Sequence, residues 1–343
     1  MFRRVVLASG EGGDPRYRKN HEVVEGLLDR AKVPGWTKAS SVEVGKGGNS
    51  KVAVRAAIEL NADLIHIACQ EDAHLVPRKT DVPVVVSIHN LFDHRPRSME
   101  AGETAVSLGE RVPSSTRAKQ LASARKGMER ADLLACANDM ALNDARLLFP
   151  GTKSSLVRDS VDTSFWNPKK SARDRKLLGD MHVDGKCLVV SVGGNDARWR
   201  TGFVDEVFSS LPSEISKEMN VIRIGLESLD MEQVAAAYQN AEVMLYPGVS
   251  VGFQCPPLEA MAAGCPVLAS KLPTHDEILP GRCLLPPDVL DDWVSAIVDV
   301  HSEWRRSGGV SRNEDDGLLL LAESLGRNSH GEALSNAYEI ACE

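Results

Sequence analysis

The stretch 245–270, LYPGVSVGFQCPPLEAMAAGCPVLAS, leaves few folds open to this chain. EVMLY is a short apolar run closed by Pro247 and Gly248, the pattern of a buried strand. Pro256 and Pro257 pre-set φ for a first helical turn, and LEAMAA consists of strong helix formers. Gly264 supplies the stop, Pro266 follows, and CPVLAS is the next strand. This pattern sets Glu259 in the first turn of a helix whose free N–H groups point at the loop around Gly252. Such a helix start attracts anions. It suits a nucleotide diphosphate on the N–H groups and a ribose diol on Glu259. The alternative is a buried strand–helix–strand unit whose glutamate only complements the helix dipole.

The rest of the chain alternates in the same way. RRVVLAS is a strand too short for a signal peptide, followed by a Gly-rich loop with Gly10, Gly12 and Gly13 and the helix HEVVEGLLDRA. The loop is neither GxGxxG nor a Walker motif, so a plain tight turn explains it as well as a phosphate cradle. SSVEV, DLIHIA and DVPVVVSIHN are further strands, and SKVAVRAAIEL is a helix. His66 and His89 fall at the ends of two of these strands, the rim where parallel sheets bind ligands. AKQLASARKGMERA and DMALNDARLLF are helices around the strand ADLLACA, with Asn138 or Asp139 as N-cap of the second. KCLVVSV opens a second domain, and its loop GGNDARWRTG carries Arg198 and Arg200, whose guanidinium forks suit phosphate. A pair of surface arginines flanking Trp199 is the plainer reading of that loop.

With 343 residues, two domains are expected, each large enough for its own core. Residues 1–165 hold 24 Lys/Arg against 21 Asp/Glu, and the remainder 16 against 27. A slightly basic first half beside an acidic second half argues against general nucleic-acid binding. It leaves room for an acidic acceptor or a membrane surface on the N-terminal side, where residues 95–130 carry eight basic side chains and four acidic ones. The seven cysteines are scattered and form no CxxC, which favours reduced thiols, a cytoplasmic protein and no zinc site. No apolar run approaches the ~20 residues of a membrane helix.

The segment from Pro247 to Ser270 resembles, without a gap, the signature of the retaining glycosyltransferases of family 4: PS-x-x-EGFG-x-P-x-LEAMA-x-G-x-PV-x-AS. Pro247, Gly252, Phe253, Pro256, Leu258, Glu259, Ala260, Met261, Ala262, Gly264, Pro266, Val267 and Ser270 fit it. VPVVVSIHN resembles the family stretch that ends in Thr-x-His, and SSLVRDSVDTSFWNP its Ile-x-Asn-Gly-Val-Asp-x-x-x-Phe-x-Pro, with Asp159 and Ser160 replacing Asn-Gly. The resemblance implies the GT-B fold, two Rossmann-like α/β domains facing each other across a cleft. Residues 1–165 would form the acceptor domain and 166–327 the donor domain, with a terminal helix near 328–343 returning to the first. It also implies transfer of a sugar from a nucleotide-diphosphate sugar with retained configuration and without a metal or other cofactor. The donor would meet Gly12, Gly13, Val251, Gly252, Phe253, Gln254, Cys255, Leu258 and Glu259. Of these, Glu259 would hold the ribose. His89 would contact the transferred sugar, and Arg198 and Arg200 would neutralise the leaving diphosphate. Peripheral contact of the N-terminal domain with the inner membrane face is a further expectation.

Three departures stand out. Val251 occupies the position of the family's first glutamate, Gln254 replaces a glycine, and Asn195 stands where the family has arginine. They keep two other classes open: a nucleotide-sugar 2-epimerase of the same fold, and a catalytically inert nucleotide-binding protein.

Overall fold

The computed structural model describes residues 2–10, 15–45, 51–94, 113–169, 179, 185–195, 197–249, 255–309 and 315–343. Within them, contacts divide the chain into two units. One takes 2–94, 113–159 and Arg327–Glu343, and the other Ser160–Gly326.

The first unit is built on six strands: β1 (Arg3–Gly10), β2 (Trp36–Val44), β3 (Leu64–Ile67), β4 (Val84–Ile88), β5 (Leu133–Cys136) and β6 (Lys153–Leu156). They lie in the order β2-β1-β3-β4-β5-β6, every pair parallel. Chain direction around the sheet reverses between β1 and β3. Parallel strands need covered faces, so β3, β4 and β5 are buried throughout. The two-residue pleat sorts them into two cores. Val6, Ile65, Val86 and Leu134 face one, and Val5, Leu64, Val85 and Leu133 face the other. The terminal helix Arg327–Cys342 closes the second core with Leu334, Ala337, Tyr338 and Ala341. Gly331 permits that docking, because a Cβ there would lie 1.9 Å from the Lys32 carbonyl oxygen.

The second unit holds β7 (Cys187–Val192), β8 (Met219–Ile224), β9 (Val243–Tyr246), β10 (Val267–Ser270) and β11 (Leu284–Leu285), all parallel, in the order β11-β10-β9-β7-β8. Here the reversal falls between β7 and β9. Helices Met231–Asn240 and Cys255–Ala262 cover one face, and Thr201–Ser209 and Leu290–Arg306 the other. Asp230 and Gln233 form a capping box at the start of Met231–Asn240.

Several elements differ from the sequence reading. β2 starts at Trp36, well before SSVEV, and β6, β11 and the helix Asp316–Ser324 had no clear periodic signal. Asn138 is the N-cap of Asp139–Leu148, its Oδ1 accepting from the Ala141 N–H at 2.7 Å.

Candidate functional site

Open parallel sheets bind ligands outside the carboxyl ends of their strands, where chain direction reverses. In the second unit that place is the β7–β9 pair. Beyond β7 the chain passes Gly193 and Gly194, makes one tight turn at Ala197–Trp199, and enters the helix Thr201–Ser209. Beyond β9 it passes Pro247, Gly248 and the fully buried Val249. The two loops are joined directly: the Val249 N–H donates to the Arg198 carbonyl at 2.7 Å. The Tyr246 ring sits between Trp199, 6.0 Å away and edge-on, and His275 at 5.4 Å. Ser270 Oγ donates to the Pro247 carbonyl at 2.9 Å, and His275 Nδ1 donates to the Ser270 carbonyl at 2.6 Å. Burial pulls the His275 imidazole down to about 4, so it donates from Nδ1 as a neutral ring. Gly225, at the end of β8, has φ +91°, and a Cβ on it would lie 2.2 Å from the Gly193 oxygen. Only glycine permits that approach.

The helix of the signature spans Cys255–Ala262. Gly264 ends it at φ +77° in a Schellman arrangement, with Cys265 N–H on the Ala260 carbonyl and Gly264 N–H on that of Met261. Because the helix already begins at Cys255, Glu259 is its fifth residue and opens the second turn, which corrects the first-turn expectation. Cys255 and Leu258 do belong to the first turn, at the positive end of the helix dipole. Glu259 is buried at 8% exposure. Burial pushes up the hydroxyls of Tyr238 and Tyr246, and the carboxylate of Glu259 adds to both shifts.

The two arginines differ. Arg198 is partly buried and contributes its carbonyl to the loop junction. Arg200 adopts a left-handed backbone, φ 51°, at the N-cap of Thr201–Ser209. Its guanidinium stacks 4.2 Å over the Phe203 ring and its Nη1 donates to the Pro287 carbonyl. The Arg200 guanidinium is therefore already engaged by Phe203 and Pro287. Gly12, Gly13, Val251, Gly252, Phe253 and Gln254 lie outside the described residues.

In the first unit, His89 follows β4 and is held on four sides. Its N–H donates to Gln70 Oε1 at 3.0 Å, and its carbonyl accepts from Asn138 Nδ2 at 3.1 Å. Its Nδ1 lies 3.2 Å from Asp159 Oδ2, and its Nε2 lies 3.2 Å from the Ala68 oxygen. Burial lowers the affinity of this ring for a proton, but Asp159 more than offsets it, and the net shift is upward. Asp159 moves the other way: burial raises it, His89 outweighs burial, and the carboxyl falls below its usual range. His66 is fully buried between Tyr338 Oη at 2.7 Å and Ser87 Oγ at 2.8 Å, and burial holds it neutral at about 3. Sequence reasoning missed Asp159, His330 and Tyr338. Only Asp159 left a trace, as an acid where the resembling pattern has Asn.

Of the five described basic side chains of residues 95–130, three are engaged within the first unit. Arg117 pairs with Glu71 at 2.6 Å and with Asp93, Arg125 with Glu129 at 3.3 Å, and Arg130 donates to the Val76 carbonyl at 2.8 Å. Arg95, Arg97 and Arg111 lie outside the described residues. Among the described residues no helix is long and apolar enough to cross a membrane, and no three His, Cys, Asp or Glu side chains are grouped to hold a metal ion.

Two parallel α/β sheets of this strand order define the GT-B fold. Residues 187–303, within the second unit, match the family described as glycosyl transferases group 1. A curated relative, the O-antigen chain mannosyltransferase RfbU of Salmonella typhimurium, is 34% identical over 76 residues, which is 22% of this chain and 22% of RfbU. Sucrose-phosphate synthase from Thermosynechococcus elongatus superposes with TM-score 0.64 at 14% identity, covering 99% of this chain and 96% of that one. HepE from Anabaena, solved with UDP and glucose, superposes with TM-score 0.66 at 12% identity over 98% of each chain.

Proposed function

We propose that this protein is a retaining glycosyltransferase that moves a sugar from a nucleotide-diphosphate sugar to an acceptor hydroxyl. The observation that carries the reading is the Val249 N–H to Arg198 C=O bond at the β7–β9 switch point, inside the matched residues 187–303. It couples an arginine-bearing loop to the segment that leads into the helix Cys255–Ala262.

Breaking the bond between sugar and phosphate develops negative charge on the departing diphosphate. Fixed donors that meet this charge lower the barrier more than they favour the ground state. Arg198 and the first-turn N–H groups of Cys255 and Leu258, at the positive end of the helix dipole, are such donors, with no metal ion required. Arg200 joins them only by releasing the Pro287 carbonyl. Glu259 accepts from the ribose hydroxyls. His89 acts on the sugar side, and the leaving phosphate takes the acceptor's proton as it attacks from the same face. The names of RfbU and of HepE with UDP and glucose favour a hexose donor and a carbohydrate acceptor. Contact with the inner membrane face through the N-terminal unit is part of the same proposal and rests on the basic side chains of residues 95–130.

A thermal-shift panel of nucleoside diphosphates and nucleotide sugars tests the reading, since a ligand of the folded state raises the melting temperature. The expected result is one stabilising base, followed by donor consumption that depends on acceptor and yields a product of unchanged anomeric configuration. Nucleotide binding without turnover of any donor would make the protein inert, and donor consumed without acceptor would make it an epimerase.

A further inference from the structure

The environment of His89 fixes its charge by geometry. A carbonyl and a carboxylate only accept hydrogen bonds. The two ring nitrogens of His89 face one of each, the Ala68 oxygen and Asp159 Oδ2, both at 3.2 Å. A neutral ring would turn a lone pair toward an acceptor on one side, so both nitrogens carry hydrogen and the ring is an imidazolium. The side chains of His89 and Asp159 are only 9% and 14% exposed, so solvent screens the pair little.

A second observation points to the same spot. His330, on the terminal helix, is 5% exposed, and its Nδ1 has no hydrogen-bond partner among the described residues. It lines a cavity of about 10 Å³ together with His89, Asp159 and Ser87. That volume suits one water with several polar partners. His66, next along through Ser87, faces His89 from β3. Among the described residues, Asp159 is thus the anion that meets His89. Both His66 and His330 oppose a second positive charge, and burial keeps them neutral.

We propose that Asp159 is a positioning residue that holds His89 as a fixed imidazolium for the transfer step, with a single water linking the pair to His330 Nδ1. An imidazolium with both N–H groups engaged is no general base. It supplies a fixed dipole, imidazolium against the Asp159 carboxylate, and an anchored backbone at the rim of the sheet. The charge and its orientation stand on the geometry, while the link to transfer rests on the glycosyltransferase reading above.

The experiment is a pH titration of the imidazole nitrogens by long-range ¹H–¹⁵N spectra, on the full-length wild type and on Asp159→Asn, paired with the pH profile of kcat. In the wild type both His89 nitrogens should be protonated at pH 7.5. Asp159→Asn keeps an acceptor and removes the charge, and should leave one nitrogen deprotonated there. Its kcat should fall on the alkaline side and recover on acidification, because without the Asp159 charge the ring gives up its proton at lower pH. Nucleoside-diphosphate affinity should stay within about twofold, as for a site on another element. A singly protonated His89 in the wild type at pH 7.5 overturns the proposal without any variant. So does an unmoved titration in a folded Asp159→Asn protein, or a moved titration with an unmoved kcat profile. If the wild type turns over no donor, the transferase reading fails and the positioning role fails with it, while the spectra still decide whether Asp159 sets the charge.

Discussion

His89 Nδ1 and Asp159 Oδ2 lie 3.2 Å apart although 70 residues separate them in the chain. β4 delivers the one and the segment after β6 delivers the other, because β4, β5 and β6 are consecutive in the sheet. This pair and the neutral buried histidines pull stability in opposite directions with pH.

The first prediction is a stability maximum near neutrality. His89 has a raised folded value, so its contribution is full below 6.5 and is lost as pH rises through that raised value. His66 and His275 are held at about 3 and about 4, so the unfolded chain takes up protons first as pH falls below 6.5 and the fold weakens. The melting temperature should therefore fall on both sides of about pH 6.5. Asp159→Asn should flatten the alkaline side and also remove the part of the acid loss that sets in below 3.8, and a profile that keeps rising above pH 8 would contradict this account.

Glu259→Ala should weaken nucleoside-diphosphate binding by about 2 kcal/mol, as for loss of a charged hydrogen bond. Glu259 is buried and lies close enough to Tyr238 and Tyr246 to raise both hydroxyls. Calorimetric titration of a folded variant with unchanged affinity would remove the ribose role.

The arginines should separate. Arg198→Ala should reduce nucleoside-diphosphate affinity with little change in melting temperature. Arg200→Ala loses the Pro287 bond and the stacking on Phe203, so its main effect should be on stability, of order 1–2 kcal/mol. Affinity and denaturation measured on both variants check the split, and equal loss of affinity in both would show that Arg200 leaves Pro287 to bind phosphate.

Val251 is the sequence's own prediction. Valine accepts no hydrogen bond, and a sugar hydroxyl buried against it would cost about 1–3 kcal/mol. Val251→Glu should improve the use of an ordinary hexose donor if the native donor lacks that hydroxyl. Efficient wild-type turnover of glucose or N-acetylglucosamine donors, with no gain in the variant, would show that position 251 does not select the sugar.

The sequence by itself determined what is local. Apolar runs of four to eight residues marked β1, β4, β7 and β9, because a strand buried on both faces has no polar positions to spare. Pro256, Pro257 and Gly264 bounded the signature helix, and Asn138 or Asp139 marked the start of the helix Asp139–Leu148, because these signals act within one turn of backbone. Short elements such as β6 and β11 gave too few residues for a period to show. What only the tertiary structure decided is which distant side chains share a buried space. Tyr338 meets His66 across 272 residues, Asp159 meets His89, and Arg200 turns to Pro287. Those pairings follow from strand order and helix docking. No local spacing encodes them, and in a low-dielectric interior they decide which ring is charged and which guanidinium is already engaged.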